Sequence, residues 1–496
     1  MAAGTAATLL ILGQASAPQL DALHPWGPDE ALLHSLVHEL LLEPTRKAPG
    51  WRSDLVDTLD HGDDGVVISL HRGARWHDGA PVVAADVCGT LEVLGEAGSG
   101  SPFAAGVQAR VTGCEVLDER IVRITLASEV DPARALAVPL VPLHLRPIHD
   151  GDPRAPTAVG CGPYAASPLP GGGWALEARG SAPYPRLRWV PGVPAAVAAD
   201  LVARKEALAS TSVAPGSVAG LRQAAVPLLP WDRRLGWAIA FDSATAPWDD
   251  QALRRAVDVL VDRRVLSRVV AGSDTAPAWP ALSGPFAEGS SGSNRAVRPT
   301  ERDVAAGWTL LEGAGYRRGL ARQWEGEGGE PLVLRLGVPD GMGFPASGIA
   351  QAFVGTGLDV AIVPIDRHAW VHGALGGGQQ GHLDALLIPR DLHHHGDPAP
   401  WFLPRDEGGW LAPFDAALPP DLVVIARGAE DDDQAARELH GALHDEATWL
   451  FLFEERRLSA WSHRHRPWWT SPSGWGRIDA WGAAEPWEPI SEAATE

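Results

Sequence analysis

The residues with most to offer chemically lie in two short runs. The first is His393-His394-His395, flanked by Asp391 and Asp397, a mixture of imidazole and carboxylate able to hold Zn or Ni. Successive side chains of an extended chain point to opposite sides, so three consecutive histidines seldom serve one ion without further ligands. Only His382 and the pair His463/His465 are at hand to supply them, and only if the fold brings them near. The run therefore reads as solvated or pocket-lining, with no metal. The second run is His77-Asp78-Gly79. It has the look of an acid–base pair, yet Asp-Gly is what a tight turn demands, and a turn is the expected role. No GxSxG, HExxH, GxxxxGK[ST] or SxxK pattern occurs, so nothing points to a nucleophile, a cofactor or catalysis.

Composition narrows the partners. A chain of 496 residues has length for more than one core, and 45% hydrophobic with 21% charged residues is ordinary for a folded protein. A formal charge of -21 offers no counter-charge to nucleic acid or to an anionic membrane surface. Cys88, Cys114 and Cys161 show neither CxxC nor Cys/His spacing, so they are expected to be buried, reduced thiols rather than zinc ligands or a disulfide framework. No apolar run reaches the roughly 20 residues of a membrane-spanning helix. Residues 6–13, followed by Ala15-Ser16-Ala17, have the outline of a short export signal, but no Lys or Arg precedes them to form its charged start.

The elements that must position these residues follow from periodicity. Val66 to His71 alternates as a half-buried strand, the 77–79 turn follows, and Ala84, Ala85 and Val87 open a helix. Asp29 to Leu42 is apolar at helical spacing. Strands are expected over 107–116 and 120–127, then over 331–338, 358–365 and 383–388, with an amphipathic helix over 435–449 and a buried strand at 450–453. Asp249 or Asp250 is placed to cap the helix that follows Leu235 to Phe241. The Gly/Ser-rich stretch 288–294 and the Gly/Gln-rich 376–381 read as mobile surface loops.

The order of residue types carries more. Arg72-Gly73-Ala74-Arg75-Trp76-His77-Asp78-Gly79-Ala80-Pro81, running on to Asp86-Val87, resembles the signature of family 5 solute-binding proteins, the receptors of peptide and nickel ABC importers. Gly160-Cys161-Gly162-Pro163-Tyr164 resembles a second motif of that family, and Leu235 to Phe241, then Asp242, Ala246-Pro247-Trp248-Asp249-Asp250 and the passage to Val261-Asp262-Arg263, a third. The resemblance implies an α/β fold of the type II periplasmic-binding-protein kind, with two mixed α/β lobes around a ligand cleft and an extra subdomain on the first lobe. The first lobe would comprise 1–44, 160–241 and 450–496, the subdomain 45–159, and the second lobe 242–449.

The same resemblance implies a monomeric, non-catalytic receptor that closes on a small molecule and presents it to ABC permease subunits, in the periplasm or cell envelope. A cytoplasmic or sensory protein of the same fold is the alternative, and a metal or metal-chelate receptor using His393 to His395 the third. Candidate ligand contacts are Ser16, Ala17, Trp26, Asp242, Asp391, His394 and Trp401. By the resemblance, His394 stands where peptide receptors carry the aspartate that takes the ligand's α-amine. A neutral or switchable imidazole is a poor partner for an ammonium group, which argues against simple oligopeptide recognition. Trp26 and Trp401 would offer flat apolar area beside the cleft.

Overall fold

The computed structural model describes residues 9–13, 20–23, 28–44, 50–62, 64–96, 101, 103–127, 131–145, 158–180, 182, 184–230, 235–271, 278–320, 322–339, 346–365, 382–392, 399–402, 414, 420–429 and 432–462. The chain divides into two compact units, one of Met1–Gly95, Gly106–Asp232 and Arg457–Glu496, the other of Glu96–Ala105 and Arg233–Arg456. Strands are numbered β1 to β20 along the chain.

The first unit is built on a seven-stranded sheet. Its members are β1 (Leu9–Leu12), β8 (Tyr164–Pro168), β9 (Trp174–Ala178), β10 (Arg186–Val190), β11 (Ala209–Ser210), β12 (Leu228–Pro230) and β20 (Leu458–Trp461), in the order β12-β20-β11-β1-β10-β9-β8. Alternation sends neighbouring residues of β1 to opposite faces. Ile11 enters a core with Leu32, Leu33 and Leu36 of the helix Pro28–Val37, whereas Leu12 enters another with Ala198, Ala199 and Val202 of the helix Ala195–Ala203. Each such fully buried aliphatic side chain contributes about 2 kcal/mol. The first helix stops at Val37, short of the expected Leu42, because Leu40 bridges to Pro139 and Glu43–Pro44 (β2) pairs with Trp51–Arg52 (β3).

A four-stranded antiparallel sheet, β4-β5-β7-β6, follows within the same unit, from β4 (Val56–Gly62), β5 (Gly65–Leu70), β6 (Val111–Asp118) and β7 (Ile121–Leu126). Val66, Ile68 and Leu70 alternate inward as expected. The expected strand over 107–116 begins only at Val111, since Ala104–Arg110 is a helix rich in alanine, the best helix former. The helix Ala84–Gly95 lies against β6 and β7. Here the expectation of three reduced thiols is overturned: Cys88 on the helix and Cys114 on β6 form a disulfide, Cα atoms 5.5 Å apart. Motif spacing detects cysteines clustered for a metal, not two brought together by a helix docking on a strand. Cys161 is a free thiol, and burial pushes its pKa far up.

The second unit holds a five-stranded sheet, β17-β16-β18-β13-β19, made from β13 (Leu235–Phe241), β16 (Val333–Pro339), β17 (Asp359–Ile365), β18 (Ala385–Asp391) and β19 (Trp449–Glu455). β13 and β19, expected in the first lobe, both pair here. Each is buried throughout, with Trp237, Ile239 and Phe241 in one core and Ala238 and Ala240 in the other. A bulge opposite Trp237 and Ala238 lets consecutive Leu452 and Phe453 enter the same core. A small hairpin of β14 (Arg317–Arg318) and β15 (Trp324–Glu325) completes the strands.

The outer edge of β19 would expose unpaired backbone, and three devices cover it. Glu454 N donates to Pro280 O (2.8 Å), Leu282 N donates to Leu452 O (3.2 Å), and Arg263 Nε donates to Phe451 O (3.2 Å). Arg263 is held in turn by a buried ion pair with Asp258, whose other oxygen accepts from Thr300 Oγ1 at 2.6 Å. Asp262, its neighbour in the third motif, caps the helix Arg263–Val270, and Asp250 caps Gln251–Leu260. The stretch 288–294, expected as a mobile loop, is tied to the helix Asp433–Glu446 by Asn294 and Arg437.

Candidate ligand-binding site

Ligands of open α/β sheets bind outside the carboxyl ends of the strands. In the first unit β10 and β11 flank β1 in parallel, so their carboxyl ends form one edge. Gly13 N donates to Val190 O (2.9 Å) and Thr211 N to Leu12 O (3.0 Å), extending the ladders to that edge. Glycine is required at 13 because a Cβ would lie 2.9 Å from Trp189 Nε1. Ser210, Thr211 and Ser212 are buried there, with Ser210 Oγ donating to Ser212 O (2.6 Å) and Thr211 Oγ1 to Leu12 O (3.2 Å). Sequence reasoning missed this trio. Its signal was a Ser-Thr-Ser run opening directly after an apolar Leu-Ala.

In the second unit β16, β17 and β18 run parallel and end at Pro339, Ile365 and Asp391. Cross-strand register sets Leu235, the first residue of β13, opposite both Asp391 and Glu455. Glu455 is buried and accepts from Trp237 Nε1 at 2.9 Å. The chain thus enters and leaves this unit at its carboxyl edge. In the first unit Pro230 pairs with Leu458, and Val213 N, just past β11, donates to Leu458 O (2.9 Å). Both passages therefore also meet the first unit at the carboxyl edge of its parallel strands.

This geometry separates the sequence-derived candidates. Asp391 closes β18 at the carboxyl edge. Asp242 N donates to Asp384 O, at the opposite end of the same strand pair, about 20 Å from Asp391 at about 3.3 Å per residue. Its carboxylate is spent locally, accepting from Thr245 Oγ1 (2.9 Å) and Ala244 N (3.3 Å). Trp401, on the short helix Ala399–Phe402, packs edge-on to Trp449, ring centroids 6.2 Å apart. Trp449 pairs with Ala240, so Trp401 stands toward the Asp242 end of the sheet rather than beside Asp391. Ser16, Ala17, Trp26 and His394, with the rest of the histidine run, lie outside the described residues.

The motif residues prove structural. His77 Nε2 donates to Gly162 O (2.9 Å) and its Nδ1 accepts from Gly160 N (3.2 Å), so one ring clamps the Gly160-Cys161-Gly162 turn and joins the first motif to the second. Burial lowers its pKa, which keeps the ring neutral and this tautomer in place. Asp78 pairs with His144 (2.6 Å), a contact that lowers its pKa. Asp86, buried, accepts from Trp76 Nε1 (3.1 Å), Val83 N (3.0 Å) and Leu143 N (3.0 Å). A serine–histidine contact exists, Ser283 Oγ to His440 Nε2 at 3.0 Å, but Asn294 N donates to Nδ1. Nε2 must then carry the proton and donate to the serine, the reverse of general-base activation. Among the described residues no group of three His, Cys, Asp or Glu side chains could hold a metal ion.

Comparison with known proteins agrees with this reading. Residues 53–370 match the family model for bacterial extracellular solute-binding proteins, family 5 (middle region). Curated protein sequences yield no match. Among solved structures the chain resembles the oligopeptide-binding protein AppA from Bacillus subtilis in complex with a nonapeptide, with a TM-score of 0.76 at 13% identity over 96% of this chain and 98% of that one. It also resembles AgaA from A. tumefacien R10 in complex with agropinic acid (0.73, 16%, 96% and 98%) and NikZ from Campylobacter jejuni in complex with Ni(L-His) (0.68, 16%, 92% and 94%). Two further matches, DppA from Helicobacter pylori and the EDTA-binding EppA, are periplasmic proteins. Among the described residues no helix is long and apolar enough to cross a membrane. With the family model matched over well more than half its length, the chain belongs to the family 5 bacterial extracellular solute-binding proteins, non-catalytic receptors that capture small ligands for ABC transporters.

Proposed function

We propose that this receptor works outside the cytoplasm and captures its solute with the carboxyl edges of both sheets, closing about the two passages near residues 231–234 and 456–457 and delivering the solute to an ABC permease. The observation that carries this reading is where the chain leaves each unit: Pro230 and Leu458 lie at the carboxyl edge of the first sheet's parallel strands, and Leu235 and Glu455 at that of the second sheet's. Ligand contacts would come from Asp391, Ser16, Ala17 and His394, and from the backbone about Ser210 to Ser212. Trp26, just ahead of the helix Pro28–Val37, remains a proposed contact of the same kind.

The Cys88–Cys114 bond supports an oxidising compartment, because disulfides persist there and are rare in the reducing cytosol. For the ligand, the relatives named above were solved with a nonapeptide, an opine acid and a nickel chelate, and His394 in place of an acidic residue favours the latter two kinds over a peptide amine. Mass spectrometry of small molecules released from denatured protein identifies the solute. Small-angle scattering with and without it should show contraction, as hinge closure requires. An unchanged radius under saturating ligand would overturn the closure mechanism while leaving the family intact.

A further inference from the structure

We propose that His440 is an acid-sensitive latch for the segment 280–294, and through it for the covered edge of β19. Three observations place it there. The ring is fully buried and bridges two ends of one loop, Ser283 Oγ on Nε2 (3.0 Å) and Asn294 N on Nδ1 (3.1 Å). The loop is shaped to the ring: a Cβ on Gly284 would lie 2.3 Å from His440 Cδ2, and Phe286 packs against the imidazole at 6.2 Å. The same segment supplies Pro280 O and Leu282 N to the edge of β19. β19 is the strand that ends at the return passage, so the latch bears on a strand next to the proposed pivot.

Protonation can occur only at Nδ1, which holds the Asn294 N–H. Adding a proton there replaces an accepted hydrogen bond by two donors facing each other and leaves a charge on a buried ring packed against Phe286. The groups around the ring do not relieve it. On its own helix His444 adds like charge, and Arg437 is turned onto Ser291 O (2.9 Å). Glu288 and Arg295 on the loop and Asp421 on the neighbouring helix Pro420–Gly428 are exposed to solvent, and among the described residues no carboxylate counters the ring's charge. Burial accordingly lowers its pKa to about 4, which agrees with the geometry.

The test compares wild-type protein with H440Q, which keeps a hydrogen-bonding side chain that does not titrate. Between neutral pH and about pH 4.5, a group moved from 6.5 to about 4 lowers the folded-to-unfolded ratio about 60-fold. Urea midpoints should record that loss in wild type and not in H440Q. Hydrogen exchange at about pH 4.5, corrected for intrinsic rates, should show residues 282–294 opening in wild type before the rest of the second unit. Should H440Q fail to fold, an NMR titration of the wild-type imidazole decides. A ring that titrates near 6.5 with the loop still protected, or an acid response equal in both proteins, would overturn the latch.

Discussion

Breaking the Cys88–Cys114 bond should loosen the first unit by an amount set by the length of chain it closes. The cysteines are 26 residues apart, and the loop between them includes the helix Ala104–Arg110 and the turn into β6. Loop-closure entropy for a ring of this size gives about 3 kcal/mol, lost from the folded state's advantage when the bond is cut. For a unit of a few hundred residues that corresponds to roughly 6–12 °C in melting midpoint. The assay is a pair of thermal scans, oxidised and fully reduced, beside the variant carrying Cys88→Ser and Cys114→Ser. That variant should melt with the reduced wild type and ignore reductant. Thiol counting supplies an independent arm: unfolded without reductant, the oxidised protein should release one thiol, Cys161, out of three cysteines. Three reactive thiols in protein recovered from an oxidising compartment, or identical scans with and without reductant, would refute both the pairing and the argument for export built on it.

Replacing Arg263 by Met strips a carbonyl at the edge of β19 and leaves Asp258 buried without its cation; urea unfolding should record a loss of about 3 kcal/mol. His77→Ala removes two bonds to the 160–162 turn and should cost about 2 kcal/mol in the same measurement. Because the folded His77 has a lowered pKa, its contribution is complete above the unfolded value of 6.5 and is lost as pH falls below it, so wild type and variant should converge in acid. Once the solute is identified, calorimetry should find its affinity unchanged by Asp242→Asn and weakened several-fold by Asp391→Asn. The reverse result would place the site at the other end of the second sheet.

Much of this architecture was legible from residue order. Val66 to Leu70 alternates, and β13 and the Trp449 to Phe453 stretch of β19 are apolar runs, the pattern of strands buried on both faces. Which unit such a run joins is not local information: β13 pairs with Ala385 to Asp391, some 150 residues on, and β19 pairs with β13, some 210 residues back. The Cys88–Cys114 pair was hidden for the same reason. In sequence, Trp401 and Asp242 stand beside passages that the resemblance sets at the cleft or the hinge. Only cross-strand register reveals that they sit toward the end of the sheet opposite Asp391.

The most recognisable residues of the chain have their polar atoms already committed within the fold. Asp86 satisfies an indole and two amides, His77 spends both ring nitrogens on one turn, and Arg263 seals a strand edge with Asp258 behind it. A buried donor or acceptor without its partner costs about 1–3 kcal/mol, so each of these residue types is demanded by the backbone groups it serves, whatever the ligand. On the proposed reading, a change of ligand class should first be sought at His394, a few residues after Asp391.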